Sequence, residues 1–510
     1  MFLNSASGQG SAFSNLYAPI WWSSGPIKQL SDGGFGVPVG TYNTGAGDFE
    51  ISFLRIDSIG NIVWNKTYST PQHEQIWNWI ETSDGGFVFI GSIHTVVATS
   101  QIYILKLDSG GNLIWSKKFN NLIGRGNFIY ERANGNFTII GQSWATSLST
   151  PADIIYLTID STGTVLNAKL FDTSESEVIW DVCHTNDGGV IINGDTKHPC
   201  SNSLVPYLLK IDSLGNIEWE KIIKFGNCIG GQGASVIQTV DGSYIAGLRG
   251  PYGSITSVIK FDSSGNLNWC KSYTPAVNVV VELECIREIN GDFIFTDWMY
   301  DPSNSNLTSF FTKIDSSGNV IWTKYFSDPN GIQYFFEEFT VSSDNSIVMS
   351  GILKDSTSVR KCFVQKFPNY TIDNLCDINS ISNSATSNTV NIDSGFFSTV
   401  ISNITTTDVI TFVFDTIYSP NSLCLYTSLD EITSEIELNI YPNPAETYIT
   451  IQAKRITDIE IINTLGELSI FRKINSNFQN EIQLDISSLP SGIYFVRMGN
   501  EVRKFIKGGN

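Results

Sequence analysis

The sequence predicts an all-β fold: a seven-bladed β-propeller, then a polar linker, then a small Ig-like β-sandwich. Three observations predict it. One phrase recurs at a nearly constant period, a second turn phrase alternates with it, and no long run shows the apolar spacing of an amphipathic helix. A period of about 50 residues is typical of repeat proteins, in which each copy buries its apolar face only against the next.

The first phrase is Asp-Ser-x-Gly-Asn followed by an apolar run with Trp and Lys, as in KIDSSGNVIWTKYF from Lys313 to Phe326. Its leading aspartates lie 51, 52, 52, 50 and 53 residues apart, at Asp57, Asp108, Asp160, Asp212, Asp262 and Asp315. We expect each carboxylate to accept backbone amides of a tight turn whose Gly supplies a positive φ. Each turn offers one carboxylate, whereas calcium needs roughly six to eight oxygen ligands, so the pattern predicts structural turns and no metal site.

The strand after this turn indicates where the large indoles pack. Val320, Trp322, Lys324 and Phe326 share one strand face because side chains alternate with a period of two. The Lys recurs in every copy and the Trp in five of six, with Asn167 as the exception. We therefore expect the indoles to be buried between neighbouring copies.

The second phrase, Asp-Gly-Gly-Phe, predicts another turn in each copy. It occurs strictly or loosely seven times, beginning at Asp32, Asp84, Asn134, Asp187, Asp241, Asn290 and Asp344. A β-rich run follows each turn and often ends in Gly, as at Gly91 and Gly194. Each copy thus contains four predicted antiparallel strands, which is one propeller blade.

The blades account for residues 26–368, and the seventh lacks a fourth strand because no Asp-Ser-x-Gly-Asn turn follows Pro368. A ring closes best when one blade draws strands from both termini. Residues 1–25 contain a β-like run, and we expect Phe13 to Tyr17 to complete the last blade; residues after Val390 are the competing candidate.

The remaining chain divides at a change of composition. Residues 369–435 are rich in Ser, Thr, Asn and Asp, and the sequence leaves open a polar linker or a small β-module there. Cys376 and Cys424 flank this segment and are the first pair to test for a disulfide. Residues 436–510 predict about seven short strands, enough for a small β-sandwich.

Composition excludes several partners. The 510 residues carry a net charge of −19, and all of the surplus lies in residues 1–435. Such a surface disfavours nucleic acid and anionic membranes, because phosphate contacts need Lys and Arg. No apolar stretch reaches transmembrane length. The first residues lack a secretory pattern, so we expect an exported form to have carried a signal peptide ahead of them.

The eight cysteines predict no metal centre, because no CxxC pair occurs among them. Four potential zinc ligands lie close together in the sequence: Cys183, His184, His198 and Cys200. The intervening turn separates the two histidines by roughly 20 Å at the rise of a strand, so one ion cannot hold all four.

The C-terminal region carries ordered motifs. They are Tyr441-Pro442-Asn443-Pro444, a Leu-Gly turn at Leu465, Leu489-Pro490-Ser491-Gly492-Ile493-Tyr494, and a basic end at Lys504 and Lys507. In these motifs the region resembles the type IX (Por) secretion C-terminal sorting domain. The resemblance implies an address read by the type IX secretion machinery, with cargo released from the cell or joined to its surface.

The repeats also resemble two functional propellers, less specifically. Compared with the Asp-box of sialidases, the spacing from Asp to Gly is one residue longer, and the arginines do not correspond between blades. Compared with pyrroloquinoline quinone dehydrogenases, no Cys-Cys pair occurs. We therefore predict no cofactor and assign no catalytic residue.

One pattern predicts a binding site. The residues six positions before each Asp or Asn of the second turn include a polar set, in which Phe128 and Pro26 are exceptions: Asn78, Asp181, Ser235, Glu284 and Glu338. If they project from the innermost strands they form an acidic ring around the axis that suits a cation or a basic peptide; otherwise they are polar residues at blade edges. Exposed aromatics that stack on sugars or fill gaps between blades are Trp21, Trp22, Trp77, Trp79, Trp144 and Trp298.

The sequence therefore predicts an exported, secreted or surface-attached binding or scaffold protein with an unknown glycan or protein ligand. The alternative is an extracellular glycan-active hydrolase, for which Glu284 and Glu338 are the candidate carboxylates.

Overall fold

The computed structural model describes residues 13–17, 22–23, 25–43, 48–94, 100–144, 152–172, 175–197, 204–225, 230–250, 255–275, 280–301, 306–326, 333–354, 360–368, 378–380, 383–387, 390–393, 398–401, 405–408, 412–415, 421–422, 439–452, 458–463, 468–473, 481–498 and 501–508. The elements in these ranges are all β-strands, so the predicted all-β class is confirmed. Within them no helix could span a membrane. The chain divides into two compact units, residues 1–424 and 425–510.

The N-terminal unit is built from antiparallel strands that follow the predicted turns. The strands of its repeats are β1 (Phe13–Tyr17), β2 (Trp22–Ser23), β3 (Lys28–Gln29), β4 (Phe35–Asn43), β5 (Asp48–Ile56), β6 (Ile62–Ser69), β7 (His73–Glu81), β8 (Phe87–His94), β9 (Gln101–Leu107), β10 (Leu113–Glu131), β11 (Phe137–Trp144), β12 (Ala152–Ile159), β13 (Val165–Asp172), β14 (Glu177–His184), β15 (Val190–Lys197), β16 (Leu204–Ile211), β17 (Ile217–Phe225), β18 (Gln232–Gln238), β19 (Tyr244–Arg249), β20 (Thr256–Phe261), β21 (Leu267–Pro275), β22 (Val280–Ile289), β23 (Asp292–Asp301), β24 (Asn306–Ile314), β25 (Val320–Phe326), β26 (Gln333–Val341), β27 (Ile347–Lys354) and β28 (Arg360–Phe367).

Among the described strands, pairing defines seven repeats of four strands. In repeat 1 the first strand is in two pieces, β2 and β3, which both pair with β4, and β5 and β6 follow; repeats 4, 5 and 6 begin at β14, β18 and β22. The long strand β10 is the last strand of repeat 2 and the first of repeat 3, because its two halves pair with β9 and β11. Repeat 7 comprises β26, β27, β28 and β1.

The Asp-Ser-x-Gly-Asn turn has the predicted geometry. At Asp108, Oδ1 accepts the amides of Gly110 at 2.9 Å and Asn112 at 2.8 Å, and Oδ2 accepts the Asn112 side chain at 2.9 Å. These hydrogen bonds lower the pKa of Asp108, and the one from the Asn112 side chain contributes most. Gly111 has a φ of 75°, which explains the recurrent Gly.

Six of the seven repeats are also held by an ion pair that involves the second turn phrase; repeat 3, with Thr158 and Asn134 at these positions, is the exception. In four repeats the basic residue two positions before the Asp of the first phrase contacts the Asp of the second: Lys106–Asp84 at 2.9 Å, Arg55–Asp32, Lys210–Asp187 and Lys260–Asp241. In repeat 6 Lys313 contacts Asp292, two residues after the turn Asn290, and in repeat 7, which has no first phrase, Lys366 contacts Asp344. The ion pair ties the third strand of a repeat to its first hairpin.

The recurrent Trp and Lys contact the turn of the next repeat. A Cβ placed at Gly111 would lie 2.8 Å from the Trp64 indole, and Lys66 Nζ donates to Asn112 Oδ1 at 2.8 Å. The expected burial of these indoles is only partial: each packs against an apolar cluster and is half-buried, at Trp64, Trp115, Trp219, Trp269 and Trp322. The reason is that each of the first four packs on a turn that is itself at the surface.

The repeats contact one another in cyclic order, and β1 lies at the closing point. It pairs antiparallel with β28, in the position of a fourth strand. Its Tyr17 hydroxyl donates to the carbonyl of Gly60 in repeat 1 at 2.8 Å, as Tyr68 does to Gly111 at the same distance one repeat later. This is the closure predicted for Phe13 to Tyr17.

A fifth strand on each repeat comes from the region after the last blade. These strands, called the belt here, are β29 (Ile378–Ser380), β30 (Asn383–Ser387), β31 (Val390–Asp393), β32 (Ser398–Ile401), β33 (Thr405–Asp408), β34 (Phe412–Asp415) and β35 (Asn421–Ser422). They pair in order with repeats 6, 5, 4, 3, 2, 1 and 7. The belt therefore extends the sheets of the repeats, which neither sequence-based alternative anticipated. Cys376 and Cys424 lie outside the described residues.

The C-terminal unit contains two antiparallel sheets. Its strands are β36 (Asn439–Tyr441), β37 (Tyr448–Gln452), β38 (Ile459–Asn463), β39 (Leu468–Arg472), β40 (Glu481–Asp485), β41 (Gly492–Met498) and β42 (Glu501–Lys507). The sheets have the orders β36-β37-β40 and β39-β38-β41-β42. One apolar cluster, which includes Ile449, Ile461, Leu484, Val496 and Phe505, joins them.

Candidate functional site

The first strand of each repeat from 2 to 7 carries a β-bulge near its middle. The pairing register shifts at Ile76/Asn78, Gly126/Phe128, Ile179/Asp181, Gly233/Val236, Leu283/Cys285 and Phe336/Glu338. A bulge leaves a residue unpaired and re-aims the side chains beside it. Gly91 lies opposite one bulge, where the Gln75 carbonyl oxygen would be only 1.8 Å from an added Cβ.

These first strands line one cavity of about 400 Å³. Every repeat contributes at least one residue to its wall: Pro26 and Lys28, Trp77 and Asn78, Asn127 and Phe128, Trp180 to His184, Val236 and Ile237, Arg287, and Glu338. The size lies within the range of small-molecule sites. The cavity is thus shared by all seven repeats that the described strands form.

The polar residues of the cavity are tied to one another. Lys28 Nζ donates to Asn78 Oδ1 at 2.8 Å and to the Trp79 carbonyl at 2.6 Å. Asp181 Oδ2 accepts Ser235 Oγ and the Val236 amide, both at 2.9 Å. Arg287 forms an ion pair with Glu338. Charges of both signs therefore lie in the wall.

Burial shifts the ionisation of these groups. It raises the pKa of Asp181 to about 6 and lowers that of Lys28 to about 8. Both shifts follow from desolvation, which disfavours the charged form. The wall therefore combines the basic side chains of Lys28 and Arg287 with the acidic side chains of Asp181 and Glu338.

The predicted ring is brought together in part. Asn78, Asp181 and Glu338 line the cavity, and so do Pro26 and Phe128, which interrupt the polar pattern. Ser235 is buried and acts through its hydrogen bond to Asp181. The wall that forms is mixed in charge, because Lys28 and Arg287 complete it.

Glu284 lies elsewhere, for a local reason. The first hairpin of repeat 6 has a turn that is one residue shorter, with Glu288 opposite Phe293 where repeat 2 has Glu81 opposite Phe87. The position six residues before Asn290 is therefore the bulge itself, whereas the position six residues before Asp84 follows the bulge. The Glu284 carboxylate accepts Arg249 Nη2 at 2.7 Å, and burial raises its pKa to about 7.

Two indoles line the cavity: Trp77, which the sequence predicted as an exposed aromatic without placing it in a cavity, and Trp180, which the sequence analysis did not single out. Trp77 and Trp180 occupy the bulge positions of repeats 2 and 4, line the cavity, and are 37% and 41% exposed. The signal was present, since each Trp lies seven residues before a turn Asp. The expectation that Trp79 is exposed is wrong: it is fully buried and packs on Phe53. Trp21 lies outside the described residues.

A second candidate site is formed by the C-terminal motifs. Asn443 Oδ1 accepts the amide of Ile506 at 2.9 Å, and the Ala445 amide donates to the Ile506 carbonyl at 2.8 Å. Tyr494 OH donates to the Pro490 carbonyl at 3.1 Å. Tyr441 and Gly492 begin or end strands of the two sheets, and Lys504 and Lys507 lie on the last strand. The motif at 441–444 therefore holds the basic terminal strand in place.

Comparison with known proteins identifies this region. Residues 439–508 match the family described as secretion system C-terminal sorting domain, and these residues are such a domain. No curated protein matches the chain at a significant level. The sorting domain implies export and handling by the type IX secretion machinery.

Several solved structures resemble this chain loosely. The β-propeller domain of the Trilobed protease from Pyrococcus furiosus is 11% identical, with 71% of this chain and 97% of that chain covered and a TM-score of 0.36. Pyrococcus horikoshii acylaminoacyl peptidase is 12% identical, with coverages of 67% and 58% and a TM-score of 0.30. A β-fructofuranosidase from Bombyx mori is 10% identical, with coverages of 75% and 94% and a TM-score of 0.25. No activity is transferred from them.

Proposed function

We propose that this protein is an exported binding protein: a seven-bladed β-propeller whose central cavity holds a small polar ligand, joined to an Ig-like sandwich that directs it to the cell surface or the medium. The observation that carries the proposal is the convergence of seven first strands on one cavity lined by Lys28, Asp181, Arg287 and Glu338. The cyclic contacts between repeats support the blade count, and the shared core of the two C-terminal sheets supports the sandwich.

Binding of the full-length protein to peptide, metabolite and glycan panels tests the cavity. Asn127→Trp fills the space at a half-buried wall position, so we expect it to abolish binding of any ligand found. Leu214→Ala, at a 68% exposed turn residue, is the control and should bind normally. A ligand that binds both variants equally would show that the cavity is not the site.

Export is tested separately. A chain lacking residues 436–510 should remain inside the cell envelope, while the full chain reaches the surface or the medium. Normal delivery of the truncated chain would refute the sorting role of the C-terminal unit.

The alternative is a glycan-active hydrolase. The observation that favours it is the raised pKa of Asp181 and Glu284, since a general acid needs a carboxyl that is protonated near neutral pH. Against it, Glu284 and Glu338 each engage an arginine, and Glu284 does not line the cavity. Turnover of a glycan panel that Glu284→Gln abolishes would replace the binding proposal with this one.

A further inference from the structure

Two indoles in the cavity are held in the same way. The Arg125 guanidinium lies 5.0 Å from the Trp77 ring centre, and that of Arg249 lies 4.9 Å from the Trp180 ring centre. In each case the arginine comes from the next repeat. The stack covers part of one indole face, yet both rings keep more than a third of their surface exposed and line the cavity.

Further contacts fix these stacks. Arg125 Nε donates to Gln142 Oε1 at 2.8 Å, and Arg249 Nε donates to the Leu283 carbonyl at 3.0 Å. Trp180 Nε1 donates to the buried Asp195 Oδ2 at 2.6 Å. A cation over an indole is attracted by the ring quadrupole. The two indoles are therefore preorganised, and ordering them on ligand binding costs little entropy.

The repeat between those that carry the two indoles contributes a polar residue to the cavity. Asn127 occupies the bulge of repeat 3, between the bulges of Trp77 in repeat 2 and Trp180 in repeat 4, and lines the same cavity. Its amide supplies a donor and an acceptor. Three successive repeats thus present indole, amide and indole.

We propose that the cavity binds a neutral saccharide, with one sugar ring stacked on Trp77 or Trp180 and its hydroxyls bonded to Asn127 and the charged wall. The inference rests on the proposed binding function and names its ligand class. A pyranose has an apolar C–H face that suits an indole and a rim of hydroxyls that suits mixed donors and acceptors.

The charges argue against the other classes. A cationic ligand would meet Lys28 and Arg287 in the cavity wall, and each indole already has a guanidinium stacked on it, from Arg125 and Arg249. An anionic ligand would meet Asp181 and Glu338, and the cations opposite them already have partners. A neutral polyol meets neither repulsion. This corrects the ligand suggested by an all-acidic ring.

The test is binding of the full-length protein to an array of cell-wall and storage polysaccharides, followed by titration of the matching oligosaccharide with tryptophan fluorescence as the readout. We expect a change in emission on binding and a loss of affinity of about tenfold or more for at least one of Trp77→Ala and Trp180→Ala, the one that removes the stacking indole. Trp77→Phe should retain part of the affinity, which guards against a folding defect. Leu214→Ala should bind as the parent does.

The outcomes separate the two proposals. No binding to any polysaccharide, or binding that both alanine variants retain, overturns the saccharide inference. If a peptide or a charged metabolite binds instead and Asn127→Trp abolishes it, the binding function stands and only the ligand class falls. If no saccharide binds and no other ligand is lost in Asn127→Trp, the cavity is not a binding site.

Discussion

The four strands of a repeat and the belt strand beside them belong to one sheet, but the sequence encodes them differently. Repeat strands are flanked by recurring turn phrases and tied by repeated contacts such as Lys106–Asp84. Belt strands have two to five residues and share no phrase: INS, NSATS, VNID, STVI, TTTD, FVFD and NS. Local sequence motifs therefore define the strands of the repeats, whereas each belt strand forms by adding to the exposed edge of a repeat's sheet.

The belt pairs with the edge strand that each repeat would otherwise expose. Each fourth strand would otherwise present a row of unpaired amides and carbonyls, which is a template for association with other chains. The last belt strand, β35, pairs with β1, so the N-terminal closing strand lies between β28 and the belt. We therefore expect changes in the repeats to cost most of the stability and changes in the belt to cost little.

The largest effect is expected for Gly91→Ala. The added Cβ would meet the Gln75 carbonyl oxygen, and the surrounding backbone belongs to the bulge that shapes the cavity. We expect a loss of roughly 3 kcal/mol or more, measured by urea denaturation. Gly135→Asn is the control, because nothing lies within 4 Å of a Cβ there and Asn tolerates its φ of 78°. A loss for Gly91→Ala no larger than that for Gly135→Asn would show that the contact with the Gln75 carbonyl does not destabilise the fold.

Trp64→Ala should have the next effect, at about 2–3 kcal/mol, which is below the cost of a fully buried Trp because the ring is only partly buried. Trp322 offers a matched comparison: it lies in repeat 6, and no Asp-Ser-x-Gly-Asn turn exists in repeat 7 to receive it. Trp322→Ala should therefore cost less than Trp64→Ala. The reverse order would show that the contact with the next turn does not stabilise the ring.

The site illustrates which features sequence could supply. The turns, the closing strand and three cavity residues followed from local chemistry that recurs every blade. The position of Glu284 did not, because a hairpin one residue shorter shifts the count. The belt did not either: strands as short as Asn421–Ser422 carry no periodicity, and their pairing depends on edges formed by residues far away in the sequence. The balancing charges of Lys28 and Arg287 depended on the same long-range placement.

A smaller, pH-dependent effect is expected at Asp84. Its pKa is lowered to about 2, since hydrogen bonds from Thr82 and Lys106 outweigh desolvation. A carboxyl with a lowered folded-state pKa stabilises above its unfolded value of about 4, and this contribution is lost as the pH falls towards 2. Urea denaturation from pH 7 to pH 3 should show a larger loss of stability in the parent than in Asp84→Asn, because other carboxyls with lowered pKa values, such as Asp187 and Asp344, titrate in both proteins.

The Lys106–Asp84 ion pair allows the removal of each partner to be compared. Asp84→Asn leaves the buried Lys106 without its carboxylate, whereas Lys106→Met removes the buried charge and leaves an exposed Asp84. We expect Asp84→Asn to destabilise more at pH 7, because an unpaired buried charge is costlier than a lost pair. Equal effects would mean that water solvates Lys106.

The smallest effect on global stability is expected in the belt. In β32, Val400 pairs with Leu170 and Thr399 with Phe171. Proline at both positions removes every backbone donor there, so one ladder hydrogen bond is lost whichever residue donates it. We expect a loss of about 1 kcal/mol in urea denaturation, together with new proteolytic cleavage inside the belt while the repeats stay intact. The exposed edge of β13 should also increase self-association in size-exclusion chromatography, and Val400→Thr, which keeps the donor, should do neither. A loss as large as that of Gly91→Ala would show instead that the belt belongs to the cooperative core, and the two sets of strands would then differ in sequence but not in energy.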